Sequence, residues 1–137
     1  MCYQIVLADD YPSFRQCVRE ILAQKEDLEV VAETDDGQAL LDLLFDGFIT
    51  PDLIIVDISM PRLDGFGAIE RIKMLRPHIK TLVLTGHKDE KYMARALSLG
   101  AAGYLLKDDA GTELVPAIDK IRQGARYLSS SLPNLTA

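Results

Sequence analysis

Leu53-Ile54-Ile55-Val56, followed directly by Asp57, is the stretch whose reading decides the fold. Four consecutive apolar residues, three of them β-branched, show no polar alternation. A strand of that kind is covered on both faces, as in a parallel sheet. Similar short runs occur at residues 4–8 (QIVLA), 28–32 (LEVVA), 81–84 (TLVL) and 103–106 (GYLL). Between them lie segments with helical periodicity. Phe14, Val18, Ile21 and Leu22 share one face. Leu40, Leu41 and Leu44 follow Asp35-Asp36, a pair able to cap a helix start. Ile69, Ile72 and Leu75 precede Pro77, which helps end that helix. Tyr92, Met93, Ala96 and Leu97 follow Asp89 and stop at Gly100, and Leu114, Ile118 and Ile121 stop at Gly124. Pro116 is expected to trim or bend the first turn of that last helix. Strict alternation of strand and helix, five times over, predicts an α/β fold with a five-stranded parallel sheet and helices on both faces. The flavodoxin-like (βα)5 order 2-1-3-4-5 fits it, with the chain reversing between strands 1 and 3.

The chain has 137 residues, one domain's worth, with 48% hydrophobic and 26% charged residues. These proportions disfavour disorder. No apolar run approaches the ~20 residues of a membrane helix, and the opening MCYQIVLADD lacks the basic start of a secretory signal. No membrane association is expected. A net charge of −6 repels phosphate backbones, which argues against non-specific nucleic-acid binding by this domain. Cys2 and Cys17 have neither metal-ligand spacing nor a disulfide framework, so they read as reduced thiols of a cytoplasmic protein. The Ser-rich stretch 125–137 (ARYLSSSLPNLTA) reads as a tail or the start of a linker.

The residues after each apolar run carry the chemistry. Asp9 and Asp10 follow the first, Asp57 the third, Thr85 ends the fourth and Lys107 follows the fifth. In an open α/β sheet ligands bind outside these strand ends, at the switch point. Three carboxylates meeting there are costly unless a cation neutralises them. Oxygen ligands of this kind suit Mg²⁺. Lys107 offers a point charge for a phosphoryl oxygen, and Thr85 a hydroxyl. A carboxylate is also a nucleophile able to form an aspartyl phosphate, a reaction that needs positioning and charge neutralisation. Each residue alone has a plainer reading: Asp9 and Asp10 as helix caps, Asp57 and Thr85 as loop and turn residues, Lys107 as a solvated charge. Their shared place at the strand ends favours the chemical reading.

Asp9-Asp10, the block Asp57-Ile58-Ser59-Met60-Pro61-Arg62-Leu63-Asp64-Gly65, Thr85, and Tyr104-Leu105-Leu106-Lys107-Asp108 together resemble the receiver domain of two-component response regulators. The resemblance covers about residues 4–124. The ending, followed by Gly124-Ala125-Arg126-Tyr127-Leu128-Ser129, is similar to the NarL/LuxR branch, whose members carry a C-terminal helix-turn-helix DNA-binding domain. The resemblance implies a receiver domain over 1–124 and a tail or linker over 125–137 leading to that domain. It implies that Asp57 accepts a phosphoryl group from a sensor histidine kinase. Asp10 and Asp57 would bind Mg²⁺ directly, with the backbone carbonyl of Ser59, and Asp9 through a water. Lys107 would pair with the phosphoryl oxygen. Thr85 would move toward it and Tyr104 swing inward behind, changing the face built by helix 4, strand 5 and helix 5. That is a two-state element biased by one added charge group. The implied output is transcription regulation, with homodimerisation on phosphorylation and DNA contacted only through the C-terminal domain; the alternative is a stand-alone receiver without DNA-binding output.

Several positions differ from the family's commonest choices. Gly86 follows Thr85 where a small residue is usual. Tyr11 is placed to crowd or shield the site, and His87 stands at its rim as a loop residue. Met60 and Pro61 shape the loop. Tyr104 also reads as a plain core aromatic. Two other functions fit the residues less well. A haloacid-dehalogenase-like phosphatase would need a second acid where Ser59 stands. A flavin- or nucleotide-binding domain would need a Gly-rich turn in place of Asp9-Asp10-Tyr11-Pro12. The chain is therefore expected to be no enzyme beyond its own phosphorylation and slow dephosphorylation.

Overall fold

A computed structural model describes residues 2–47 and 49–132. Strands and helices alternate: β1 Tyr3–Ala8, α1 Pro12–Leu22, β2 Leu28–Thr34, α2 Gly37–Phe45, β3 Leu53–Val56, α3 Gly65–Leu75, β4 Lys80–Thr85, α4 Glu90–Ser98, β5 Gly103–Leu106, a 3₁₀ turn Lys107–Asp109, α5 Ala110–Arg122 and β6 Tyr127–Leu128. All pairings are parallel, in the order β2-β1-β3-β4-β5-β6. The expected five-strand order is therefore present and extended by one strand. The sixth falls in the stretch expected to be a tail. Two residues with mixed exposure give no periodic signal, so β6 is invisible to pattern reading. Residues 133–137 of that stretch lie outside the described residues.

The unbroken apolar runs have their explanation in the two faces of the sheet. Side chains alternate across a strand. Val6, Ala8, Ile54, Val56 and Val83 pack with Leu40, Phe66, Ile69 and Met93 from α2, α3 and α4. Ile5, Leu7, Leu53, Ile55, Leu82 and Leu84 pack with Val18, Leu22, Leu114 and Ile118 from α1 and α5. Both faces are dry, so neither register of a strand tolerates polar residues. At roughly 25 cal/mol per Å² of apolar surface, this double burial is the main stabilising term.

Helix starts follow the acidic caps. Asp36, Asp64 and Asp89 accept hydrogen bonds from the amides of Ala39, Gly67 and Lys91 at 2.7, 2.9 and 2.9 Å. Helix α1 differs: its N-cap is Tyr11, without a side-chain bond, and Pro12 opens it. Asp9 and Asp10 are thus not its caps. Pro116 lies in the interior of α5 rather than its first turn, and the helix runs on through it. Gly100 follows α4 at φ 105°, the left-handed region that glycine enters without Cβ strain. No helix among the described residues is long and apolar enough to cross a membrane. Cys2 and Cys17 are free and exposed.

Candidate functional site: an acidic rim facing Lys107

The sheet ladder itself delivers the carboxylates. Asp9 N donates to the Thr34 carbonyl at 3.1 Å and Asp57 N to the Ala8 carbonyl at 2.9 Å, so both residues prolong the ladder by one step. The β3–α3 loop then folds back tightly: Gly65 N donates to the Ile58 carbonyl at 2.8 Å. A Cβ on Gly65 would stand 2.3 Å from the Asp57 carbonyl oxygen. The glycine of the Asp64-Gly65 pair is therefore a close-approach residue that lets α3 start against the Asp57 loop.

One oxygen from each of Asp9, Asp10 and Asp57 lies within 4.8 Å of the others. Asp9 and Asp57 are buried, whereas Asp10 is exposed. Lys107 Nζ reaches Asp9 Oδ2 at 2.9 Å and Asp57 Oδ2 at 3.0 Å. Burial opposes the ammonium charge. The hydrogen bonds and charges of Asp9 and Asp57 outweigh it, and the Lys107 pKa stays above the usual lysine value. Burial raises the Asp9 pKa, and the bonds from the Tyr11 amide and Lys107 only partly offset that. Asp57 Oδ1 is buried and has no hydrogen-bond partner among the described residues. An orphaned carboxylate oxygen beside two more carboxylates is short of positive charge. Hard oxygen donors in this number fit Mg²⁺.

Thr85, at the end of β4, is fully buried, and its Oγ1 accepts from the His87 amide at 3.4 Å. Tyr104 is fully buried on β5, and its hydroxyl donates to the His87 carbonyl at 2.7 Å. Burial, then the charge of Asp57, raises its pKa, so the phenol stays a donor. Its ring already occupies the inward position. Tyr11, Asp57, Ser59, Thr85, Gly86, His87 and Lys107 line a cavity of about 460 Å³ at the strand ends. Asp57 and Lys107 are common to this cavity and to the carboxylate cluster of Asp9 and Asp10, whereas Tyr104 lies behind it in the core.

Sequence reasoning missed three features. His87 is more than an exposed loop residue: Ser59 Oγ and His87 Nε2 are 2.8 Å apart, and the imidazole packs edge-on to Tyr92 at 5.1 Å. Lys107 Nζ also sits 4.9 Å from the Tyr11 ring centre and 4.6 Å from that of Phe14, which hold the ammonium between two aromatic faces. The third is the bond network of the C-terminal segment. All three are contacts between distant residues, and no local pattern announces them.

The profile of the response regulator receiver domain matches residues 5–119. The chain is a response-regulator receiver domain. It is 39% identical over 91% of its length to the transcriptional regulatory protein DegU of Brevibacillus brevis, covering 52% of that protein. It is 33% identical over 94% of its length to a probable transcriptional regulatory protein NarL of Mycobacterium tuberculosis, covering 59% of it. Among solved structures, a LuxR-family response regulator from Aurantimonas sp. superposes with a TM-score of 0.89 at 30% identity, covering 96% of this chain and 93% of that one. The non-phosphorylated receiver domain of RcsB from Escherichia coli superposes at 0.86, covering 93% and 98%. The receiver domain thus belongs to the NarL/LuxR branch of two-component regulators. It spans little more than half the length of the curated relatives it matches.

Proposed function

We propose that Asp57 accepts a phosphoryl group from a phosphohistidine of a sensor kinase. An Asp57 carboxylate oxygen attacks phosphorus, the phosphorus–nitrogen bond breaks, and the imidazole leaves with the electron pair and takes up a proton. The observation that carries this is the buried Asp57 carboxylate, with one oxygen on Lys107 and the other without a partner. Asp10, Asp57 and the Ser59 backbone carbonyl would hold Mg²⁺, and Asp9 would act through a water. Bound there, the ion would supply neutralising charge for the phosphoryl oxygens. Lys107 pairs with a phosphoryl oxygen and aligns the acceptor. Thr85 turns its hydroxyl from the His87 amide to the phosphoryl group, and Tyr104 follows the shift of the His87 backbone. No acid side chain stands at position 59 to drive fast hydrolysis, so the adduct persists as a signal and the domain is a switch rather than a phosphatase.

The relatives' lengths support a longer regulator, with residues 1–124 as receiver and 125–137 leading to a helix-turn-helix domain. That domain contacts DNA, phosphorylation promotes a homodimer, and the protein works in the cytoplasm. One RcsB structure is described as dimers bound to DNA. Incubation with Mg²⁺ and acetyl phosphate is expected to add one phosphoryl mass to this domain and none to Asp57→Ala. An undiminished adduct on Asp57→Ala would overturn the assignment.

A further inference from the structure

The described segment after α5 is tied to the turn that carries Lys107. Strand β6 pairs Tyr127 with Gly103 and Leu128 with Tyr104, and Ser129 N donates to the Tyr104 carbonyl at 2.9 Å. At the next step a side chain takes over from the backbone. Leu106 N donates to Ser129 Oγ at 3.3 Å, and Ser129 Oγ donates to the Asp109 carboxylate. Leu106 immediately precedes Lys107, and Asp109 closes the same 3₁₀ turn. One hydroxyl, on a residue only 3% exposed, therefore spans both ends of that turn. A serine hydroxyl can accept and donate at once, which the position requires.

Neighbouring bonds hold Ser129 in place. Ser131 Oγ donates to the second oxygen of Asp109 at 3.1 Å. Glu113 on α5 accepts from the Tyr127 hydroxyl at 2.7 Å, the Ser130 amide at 3.0 Å and the Ser130 hydroxyl at 2.5 Å. Burial works against the Glu113 charge, but these bonds outweigh it and hold its pKa below the usual carboxylate value. The segment is thus latched onto α5 by carboxylates rather than by apolar packing alone. The whole of it lies beyond the residues 5–119 that match the family profile.

We infer that Ser129 is a positioning residue for Lys107, acting through Leu106 and Asp109, so that the segment 127–131 and the phosphorylation site share one equilibrium. The inference rests on the role proposed for Lys107. Coupling of this kind is reciprocal. A phosphoryl group that draws Lys107 toward itself strains the Leu106–Asp109 turn and loosens the latch. Conversely, any pull on the chain after residue 131 changes how well Lys107 is aimed.

Ser129→Ala and Asp109→Ala remove the same link from its two ends. Each is expected to slow phosphorylation by acetyl phosphate about three- to tenfold, the scale of one lost hydrogen bond. Mg²⁺ affinity, measured by calorimetry, is expected to stay unchanged, because the carboxylate cluster is untouched. The double variant should be no slower than the slower single one. A merely structural serine would lower the melting temperature and leave the rate per folded molecule at the wild-type value, and that result overturns the inference. Hydrogen exchange of the unmutated protein provides a test free of folding defects. Phosphorylation should speed exchange of the Ser129 and Ser130 amides, and unchanged exchange in a fully phosphorylated sample also overturns it. Absence of any adduct on the wild type, or an undiminished adduct on Asp57→Ala, instead overturns the proposed function, and the inference with it.

Discussion

The two halves of the strand-end rim are built by different forces. On the β1–β3 half, Asp9 and Asp57 are placed by backbone hydrogen bonds that continue the sheet. On the β4–β5 half, Thr85 still lies in the ladder opposite Leu106, but the residues beyond the strand ends are held by side chains. The Tyr104 hydroxyl holds the His87 carbonyl, Ser59 holds the His87 imidazole, and Ser129 spans the turn of Lys107. A backbone ladder within a dry core has one arrangement, whereas single hydroxyl bonds can be exchanged at small cost. The acidic half is suited to fixed chemistry, and the opposite half to being moved by it.

The contrast can be attacked from either side. The largest effect is expected on the fixed half. Gly65→Ala forces a Cβ onto the Asp57 carbonyl and should lower stability in urea unfolding by about 3 kcal/mol. Wild-type stability would show that this loop yields and is not fixed. Next comes the bridge between the halves. Lys107→Ala leaves two buried carboxylates without their ammonium and should cost about 2 kcal/mol in metal-free buffer. Millimolar Mg²⁺ should restore most of the loss, as read from thermal melts with and without the ion. Identical losses in both conditions would mean that the ion and Lys107 do not answer the same charge.

Tyr104→Phe removes one donor on the movable half and should cost about 1 kcal/mol. Phosphorylation by acetyl phosphate should proceed at nearly the wild-type rate, while phosphorylation-dependent dimerisation in sedimentation weakens. A slowed chemical step with intact dimerisation would reverse the assignment of the two halves. The smallest effect belongs to Glu113→Gln, a few tenths of a kcal/mol because the group is partly solvated. The Glu113 pKa is lowered in the folded state, so its contribution is present above the ordinary carboxylate value. It is lost as pH falls through the lowered folded value. The stability gap to the variant should therefore be widest near neutral pH and close in acid. A gap that widens in acid contradicts the latch chemistry.

Much of this was legible in the chain. Leu53–Val56 and its companions have to be strands covered on both faces, and Asp36 and Asp89 have to stand before helices, because both signals are local. The convergence of Asp9, Asp10, Asp57, Thr85 and Lys107 followed from strand order, since parallel strands deliver their ends to one rim. Pro116 was misread because the start of α5 merges with the 3₁₀ turn at Lys107–Asp109, and no cap side chain marks the junction. Strand β6 was missed because Tyr127 and Leu128 are too few to show a period.

The sequence by itself determined the alternation of elements, the charged and hydroxyl groups after the strands and the residue types able to hold a cation or accept a phosphoryl group. Periodicity and turn chemistry act within a few residues and can be read there. Only the tertiary structure decided which charges are paired and which oxygen is left over. It also put His87 against Ser59 and Tyr104, and brought Ser129 back across 23 residues to the turn of Lys107. Those outcomes depend on burial and on distances between remote segments, quantities that exist only once both faces of the sheet have closed.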